Sequence, residues 1–110
     1  MTTIFSKIID GEIPSDKFYE DEHLIVIKDI APKAPVHLLM IPRKPIINLD
    51  DLAEDDQDLM GYMMLKIPEI AKQAGLSGGY RTIINTGKGG GQEVFHLHIH
   101  ILGGGPLPFV

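Results

Sequence analysis

The chain has 110 residues with 44% hydrophobic and 23% charged content, which bounds it to one folded domain and excludes a disordered polymer. A formal net charge of -5 argues against nucleic acid as the main partner, and the lack of cysteine excludes disulfides and thiolate chemistry. No apolar run approaches the roughly 20 residues of a membrane span. Met1–Lys7 also has neither a basic nor an apolar leader segment, so a cytoplasmic protein without a signal peptide is expected.

In chain order, Phe5 to Ile9 has helical spacing and predicts one or two helical turns, ended by Asp10-Gly11 and broken by Pro14-Ser15. Lys17 to Glu20 predicts a short strand. After the polar turn Asp21-Glu22, His23 to Lys28 reads as a buried strand, so the two form a hairpin. Pro32 and Pro35 make residues 29 to 35 a loop, because proline cannot donate to a ladder. His37 to Ile41 predicts a third strand, closed by Pro42 and Pro45.

Asp50, Asp51, Glu54, Asp55, Asp56 and Asp58 read as the solvated start of a helix, where carboxylates complement free N–H groups. The helix is expected to run to about Ala74 with Gly75 as its stop. Leu59, Met60, Met63, Met64, Ile67, Ile70 and Ala71 form its apolar stripe, and Pro68 predicts a bend. Tyr80 to Asn85 predicts a strand centred on Arg81-Thr82-Ile83-Ile84. A glycine-rich loop, Thr86-Gly87-Lys88-Gly89-Gly90-Gly91-Gln92, leads to a last strand ended by Gly103-Gly104-Gly105-Pro106. The order is short helix, three strands, long helix, two strands. It predicts an α+β fold with a mainly antiparallel sheet.

That last strand carries His96-Leu97-His98-Ile99-His100-Ile101. Strict alternation places Leu97, Ile99 and Ile101 on a core face and three imidazoles on the other. Histidines decorating an exposed face are one reading. A metal centre is another, but residues i and i+4 of a strand lie roughly 13 Å apart. Three imidazoles of one strand therefore do not reach one zinc at about 2.0–2.1 Å. Nucleophilic and acid–base work by imidazole is the reading favoured. His23 reads as a surface turn residue. His37, at the head of a strand after Pro35-Val36, reads either as a satisfied semi-buried histidine or as part of the site.

The glycine-rich loop fits neither a P-loop nor a dinucleotide fingerprint. Gly89 follows Lys88 where serine or threonine is needed, and Gln92 stands where glycine is needed. By itself it is as consistent with a mobile hairpin loop as with a phosphate cradle. Its place beside three histidines favours the cradle. Ser6, Ser15 and Ser77 have no nucleophile elbow around them.

His96-Leu97-His98-Ile99-His100-Ile101-Leu102 resembles the histidine triad pattern. Ile4-Phe5-Ser6-Lys7-Ile8-Ile9-Asp10-Gly11-Glu12-Ile13-Pro14 is similar to that family's N-terminal segment. Residues Asp29 to Pro42 resemble its ligand-facing hairpin, and Tyr80 to Asn85 with Gly90 to Phe95 resemble its final strands. Together these resemble the histidine triad (HIT) family, Hint branch, the histidine triad nucleotide-binding proteins.

The resemblance implies a HIT-like fold over 1–110 as one domain, with a five-stranded sheet joined to a second across a homodimer. It implies a purine nucleoside monophosphate pocket and a metal-independent hydrolase of nucleoside 5′-phosphoramidates, such as AMP linked to an amine, with no cofactor. It also implies His98 as the nucleophile forming a nucleotidyl-histidine intermediate, His100 on the phosphate, and His96 and His37 as the supporting network. Asp29 would hold the ribose hydroxyls with Ile30 beside it. Phe5, Ile8, Ile13 and Ile27 would line the base pocket, and Asn85, Gly91, Gln92, Glu93 and Val94 would surround the phosphate. Glu93 departs from the serine of some members, and its backbone is expected to matter. The tail Pro106–Val110 is short and lacks tryptophan. A purine nucleotide-binding adaptor with incidental hydrolysis is the alternative.

Overall fold

The computed structural model describes residues 2–108. Seven elements alternate along the chain: α1 (Ile4–Ile9), β1 (Lys17–Glu20), β2 (Leu24–Lys28), β3 (Val36–Pro42), α2 (Gln57–Gln73), β4 (Arg81–Ile83) and β5 (Ile99–Gly103). The strands form one five-stranded sheet in the order β1-β2-β3-β5-β4. Every pairing is antiparallel.

Period two divides the strands between two cores. Leu24 and Val26 of β2, Leu38 and Met40 of β3, and Ile99 and Ile101 of β5 pack under α2, against Met63, Ile67, Ile70 and Ala71. Their alternate neighbours Ile25, Ile27, Leu39 and Ile41 pack on the other face, against Phe5 and Ile8 of α1. Burial on both faces explains why Leu24–Ile27 is uninterruptedly apolar. The helix on the second face has only six residues, and Ile13 and Val94 add to its cover. That helix is short but well capped: Thr3 Oγ1 accepts the Phe5 and Ser6 amides, and Ser6 Oγ accepts the Thr3 amide.

Four sequence expectations change. The acidic stretch is two 3-10 turns, Leu49–Asp51 and Glu54–Asp56, before α2 begins at Gln57. Asp56 is not solvated: its side chain is buried, accepts the Ala53 amide at 2.9 Å and pairs with Lys44 Nζ. As expected, helix α2 continues through Pro68 as a single element. Pro68 sits on the exposed side, where water can take the carbonyl that proline leaves without a donor.

The last two strands are also shorter than expected. β4 stops at Ile83 because Asn85 turns to the loop, its Nδ2 donating to Gly90 O at 2.9 Å. β5 begins only at Ile99 because the preceding backbone bonds elsewhere. Leu97 N–H donates to Ile46 O at 2.7 Å, and His96 O is taken by the His98 ring. The alternation of faces nonetheless starts before the strand does: Leu97 is buried, while the rings of His96 and His98 lie against Phe5.

Candidate active site

His98 is fixed from both sides. Its Nδ1 lies 2.7 Å from His96 O, and a carbonyl can only accept, so the proton sits on Nδ1. The Nε2 lone pair is therefore the free one. Phe5 packs edge-on to the ring with centroids 4.9 Å apart. Burial pushes the imidazole down from its ordinary 6.5, against the opposing pull of the His96 carbonyl and of Asp29. A neutral, oriented ring with a free lone pair is the nucleophilic form of histidine.

His37 and His100 form a second unit. In the sheet Leu39 stands opposite His100 and His37 opposite Leu102, so the two histidines are diagonal neighbours on one face. His37 Nε2 and His100 Nδ1 meet at 2.9 Å. The Lys33 amide donates to His37 Nδ1 at 2.9 Å, so the proton of neutral His37 belongs on Nε2. His37 then donates to His100 Nδ1, and His100 carries its own proton on Nε2. Asp29 Oδ2 offers the His37 proton a second acceptor at 3.3 Å. Burial lowers His37 as well, and it pushes His100 down to about 4 with help from the neighbouring imidazoles. The histidines thus serve as neutral N–H donors.

Asp29, His37 and His100 also offer three ligand atoms within 4.8 Å of one another, a grouping the sequence spacing did not reveal. A metal on His37 Nε2 needs its lone pair there, which moves the proton to Nδ1. That proton would then face the hydrogen of the Lys33 amide. The trio fits a hydrogen-bond relay and does not fit a metal centre.

The cleft beside these rings has a volume of about 480 Å³, within the range of small-molecule sites. His37, His98 and His100 line it with Phe5, Ile8, Ile13, Ile27, Asp29, Ile30, Asn85, Gly91, Glu93 and Val94. Ile30 is 96% exposed at the rim, and Glu93 is also exposed. The glycine-rich loop contains a 3-10 turn, Lys88–Gly90, closed by Gly91 at a φ of 85°, a conformation glycine adopts without strain.

Two expected site residues sit behind the cleft wall. Gln92 is buried, and its amide binds the loop from within. Oε1 accepts from the Gly87 amide and Asn48 Nδ2, while Nε2 donates to the Ile47 and Val94 carbonyls. It holds the loop and does not line the cleft. His96 is likewise buried, its Nε2 donating to Pro42 O at 2.8 Å, and its burial also lowers its pKa. It supports His98 through its carbonyl. The cleft also includes residues the sequence did not single out, among them Leu39, Lys33, Ser15 and Asp16. Leu39 was accessible to reasoning, because it shares a strand face with His37. Ser15 and Lys33 lie on loops with no periodic signal.

The antiparallel α+β sheet thus brings together an oriented imidazole, a histidine relay and a cleft of small-molecule size. The family model of the HIT domain matches residues 10–107, and the chain belongs to that family. Protein HitA of Neisseria gonorrhoeae is 58% identical over 100 residues, covering 91% of this chain and 94% of its own. The purine nucleoside phosphoramidase of Escherichia coli K12 is 47% identical over 106 residues, covering 96% and 89%. Among solved structures, a HIT family hydrolase from Legionella pneumophila superposes with a TM-score of 0.94 at 40% identity, covering 98% of this chain and 97% of that one.

Proposed function

We propose that the chain is a Hint-branch hydrolase of purine nucleoside 5′-phosphoramidates, acting through a covalent nucleotidyl-His98 intermediate. The observation that carries this is the His98 ring, pinned at Nδ1 by the His96 carbonyl at 2.7 Å and free at Nε2. The Nε2 lone pair attacks phosphorus while the P–N bond to the amine breaks. The bridging nitrogen takes a proton from solvent, so it keeps that electron pair and leaves as a neutral amine, while the His100 N–H, with the His37 N–H behind it, donates to a phosphoryl oxygen. The ring gains positive charge as the new bond forms, and its bond to the His96 carbonyl strengthens. Water then attacks phosphorus and gives up a proton to solvent, the P–Nε2 pair returns to His98, and the nucleoside monophosphate leaves. Splitting one displacement into two easier ones is the gain of covalent catalysis, and no metal or cofactor is required.

The remaining roles follow the cleft. Phe5, Ile8, Ile13 and Ile27 enclose the base, Asp29 and Ile30 meet the ribose, and Asn85, Gly91, Glu93 and Val94 flank the phosphate. The relationship to the Escherichia coli phosphoramidase supports the substrate class.

We further place the protein in the cytoplasm as one HIT domain over 1–110 that assembles as a homodimer. The cysteine-free composition supports the compartment. Among the described residues no helix is long and apolar enough to cross a membrane. The homodimer is supported by the short edge strand β4 beside exposed Tyr80, and by Met64 and Leu65 of α2, which are 43% and 75% exposed. Any contribution from Phe109 or Val110 lies outside the described residues.

The test is turnover of adenosine 5′-phosphoramidate by the wild type and by His98→Ala. The wild type is expected to release AMP, and the variant to bind AMP without turnover. Turnover retained in the variant refutes the assignment, and AMP binding with no turnover in the wild type favours an adaptor.

A further inference from the structure

The apolar side of the cleft contains one polar atom with nothing to bond. Among the described residues, Ser15 Oγ is the buried side-chain oxygen or nitrogen that lacks a hydrogen-bond partner. Leaving a buried hydroxyl unpaired is costly, so a persistent case calls for a reason. Ser15 also lines the cleft.

Its position says which part of a ligand it would meet. Residues 13 to 16 alternate between partly buried and exposed, so Ile13 and Ser15 turn inward together. The Lys28 amide donates to Asp16 O at 2.9 Å, and Lys17 pairs with Ile27, which ties this segment to the end of β2. Continued by two residues, that register sets Ser15 opposite Asp29, one strand further from β5. Strand β1 is three inter-strand spacings from β5, where His98 leads in, or roughly 14 Å at about 4.8 Å each. With phosphate at His98 and sugar at Asp29, the base is what reaches Ser15.

We propose that the Ser15 hydroxyl is a specificity-determining contact to the purine base, the polar group in an otherwise apolar base pocket. The proposal rests on the phosphoramidase reading above. The hydroxyl has no protein partner, so its rotation about χ1 toward a ligand breaks no existing bond. A hydroxyl both donates and accepts, so it serves a ring nitrogen or an exocyclic amine. Hydrogen bonds to substrate give far more discrimination than apolar walls do.

The test compares Ser15→Ala with the wild type on adenosine 5′-phosphoramidate and on base-free ribose 5-phosphoramidate. The variant should raise KM for the nucleoside substrate roughly three- to tenfold at unchanged kcat, the size of one neutral hydrogen bond. KM for the base-free substrate should stay put, and the ligand-free variant should melt no lower than the wild type. Equal changes on both substrates, or none on either, overturn the proposal. A lower melting temperature of the ligand-free variant overturns it too, because the hydroxyl would then have a structural partner. If the wild type turns over neither substrate, the phosphoramidase reading itself fails.

Discussion

The two faces of the sheet use the same strands to opposite ends. Under α2 the alternate residues of β2, β3 and β5 meet a 17-residue helix and close into a dry core. At its edge, Asp21 is fully engaged by the Tyr19 and Tyr62 hydroxyls and the His23 and Leu24 amides. Burial pushes that carboxyl up, yet these hydrogen bonds prevail and hold it at about 2. Across the sheet, six residues of α1 cover only part of the surface. There the cleft keeps free what the other face satisfies: the His98 Nε2 lone pair, the His100 N–H and the Ser15 hydroxyl. A polar group with every partner in place stabilises, and one with a vacancy can act.

Substitutions on each face should separate the two roles. His98→Ala, on the cleft face, should remove turnover altogether while stability changes little. Ile70→Ala, wholly buried under α2, should cost about 2–5 kcal/mol in denaturant unfolding and leave kcat/KM of the folded protein intact. Loss of activity in proportion to fold in both variants would erase the distinction. Gln92→Ala tests the boundary between faces. It strands the Gly87 amide and the Ile47 and Val94 carbonyls, so about 1–3 kcal/mol should be lost, with faster amide exchange confined to residues 86–92. Exchange unchanged in that loop would show that the Gln92 amide does not hold it.

A graded effect is set by pH. The four site histidines lie below 6.5 in the fold, with His100 at about 4, whereas in the unfolded chain they take up protons near 6.5. The unfolded state binds more protons in that window, so stability is fully present above about 6.5 and falls as pH drops toward 4. The acid limb of kcat/KM should likewise lie below the ordinary imidazole range, because the proposed attack needs His98 neutral. A limb at or above 6.5 would contradict burial as the controlling influence.

Much of this was legible in the chain. Alternation in 96–101 fixes which residues face the core before any pairing is known, and Pro32, Pro35 and Pro42 mark the ends of the hairpin. The α2 stripe of Met63, Ile67, Ile70 and Ala71 is likewise written at helical spacing. Properties set by long-range partners were not legible. The late start of β5 depends on Ile46, the inward turn of Gln92 on Ile47 and Asn48, and the burial of Asp56 on Lys44. The meeting of Asp29 and His37 with His100 requires the β3–β5 register, which spans 63 residues between the two histidines. The unpaired state of Ser15 is a property of surroundings and leaves no trace in a local pattern.

The central claim is that His98 Nε2 bonds to phosphorus. Acid quench of a single turnover of adenosine 5′-phosphoramidate, followed by peptide mass spectrometry, tests it directly. One adenylyl group should be found on the peptide bearing His98, decaying as AMP is released. Turnover without an adduct, or an adduct on another residue, would contradict the account.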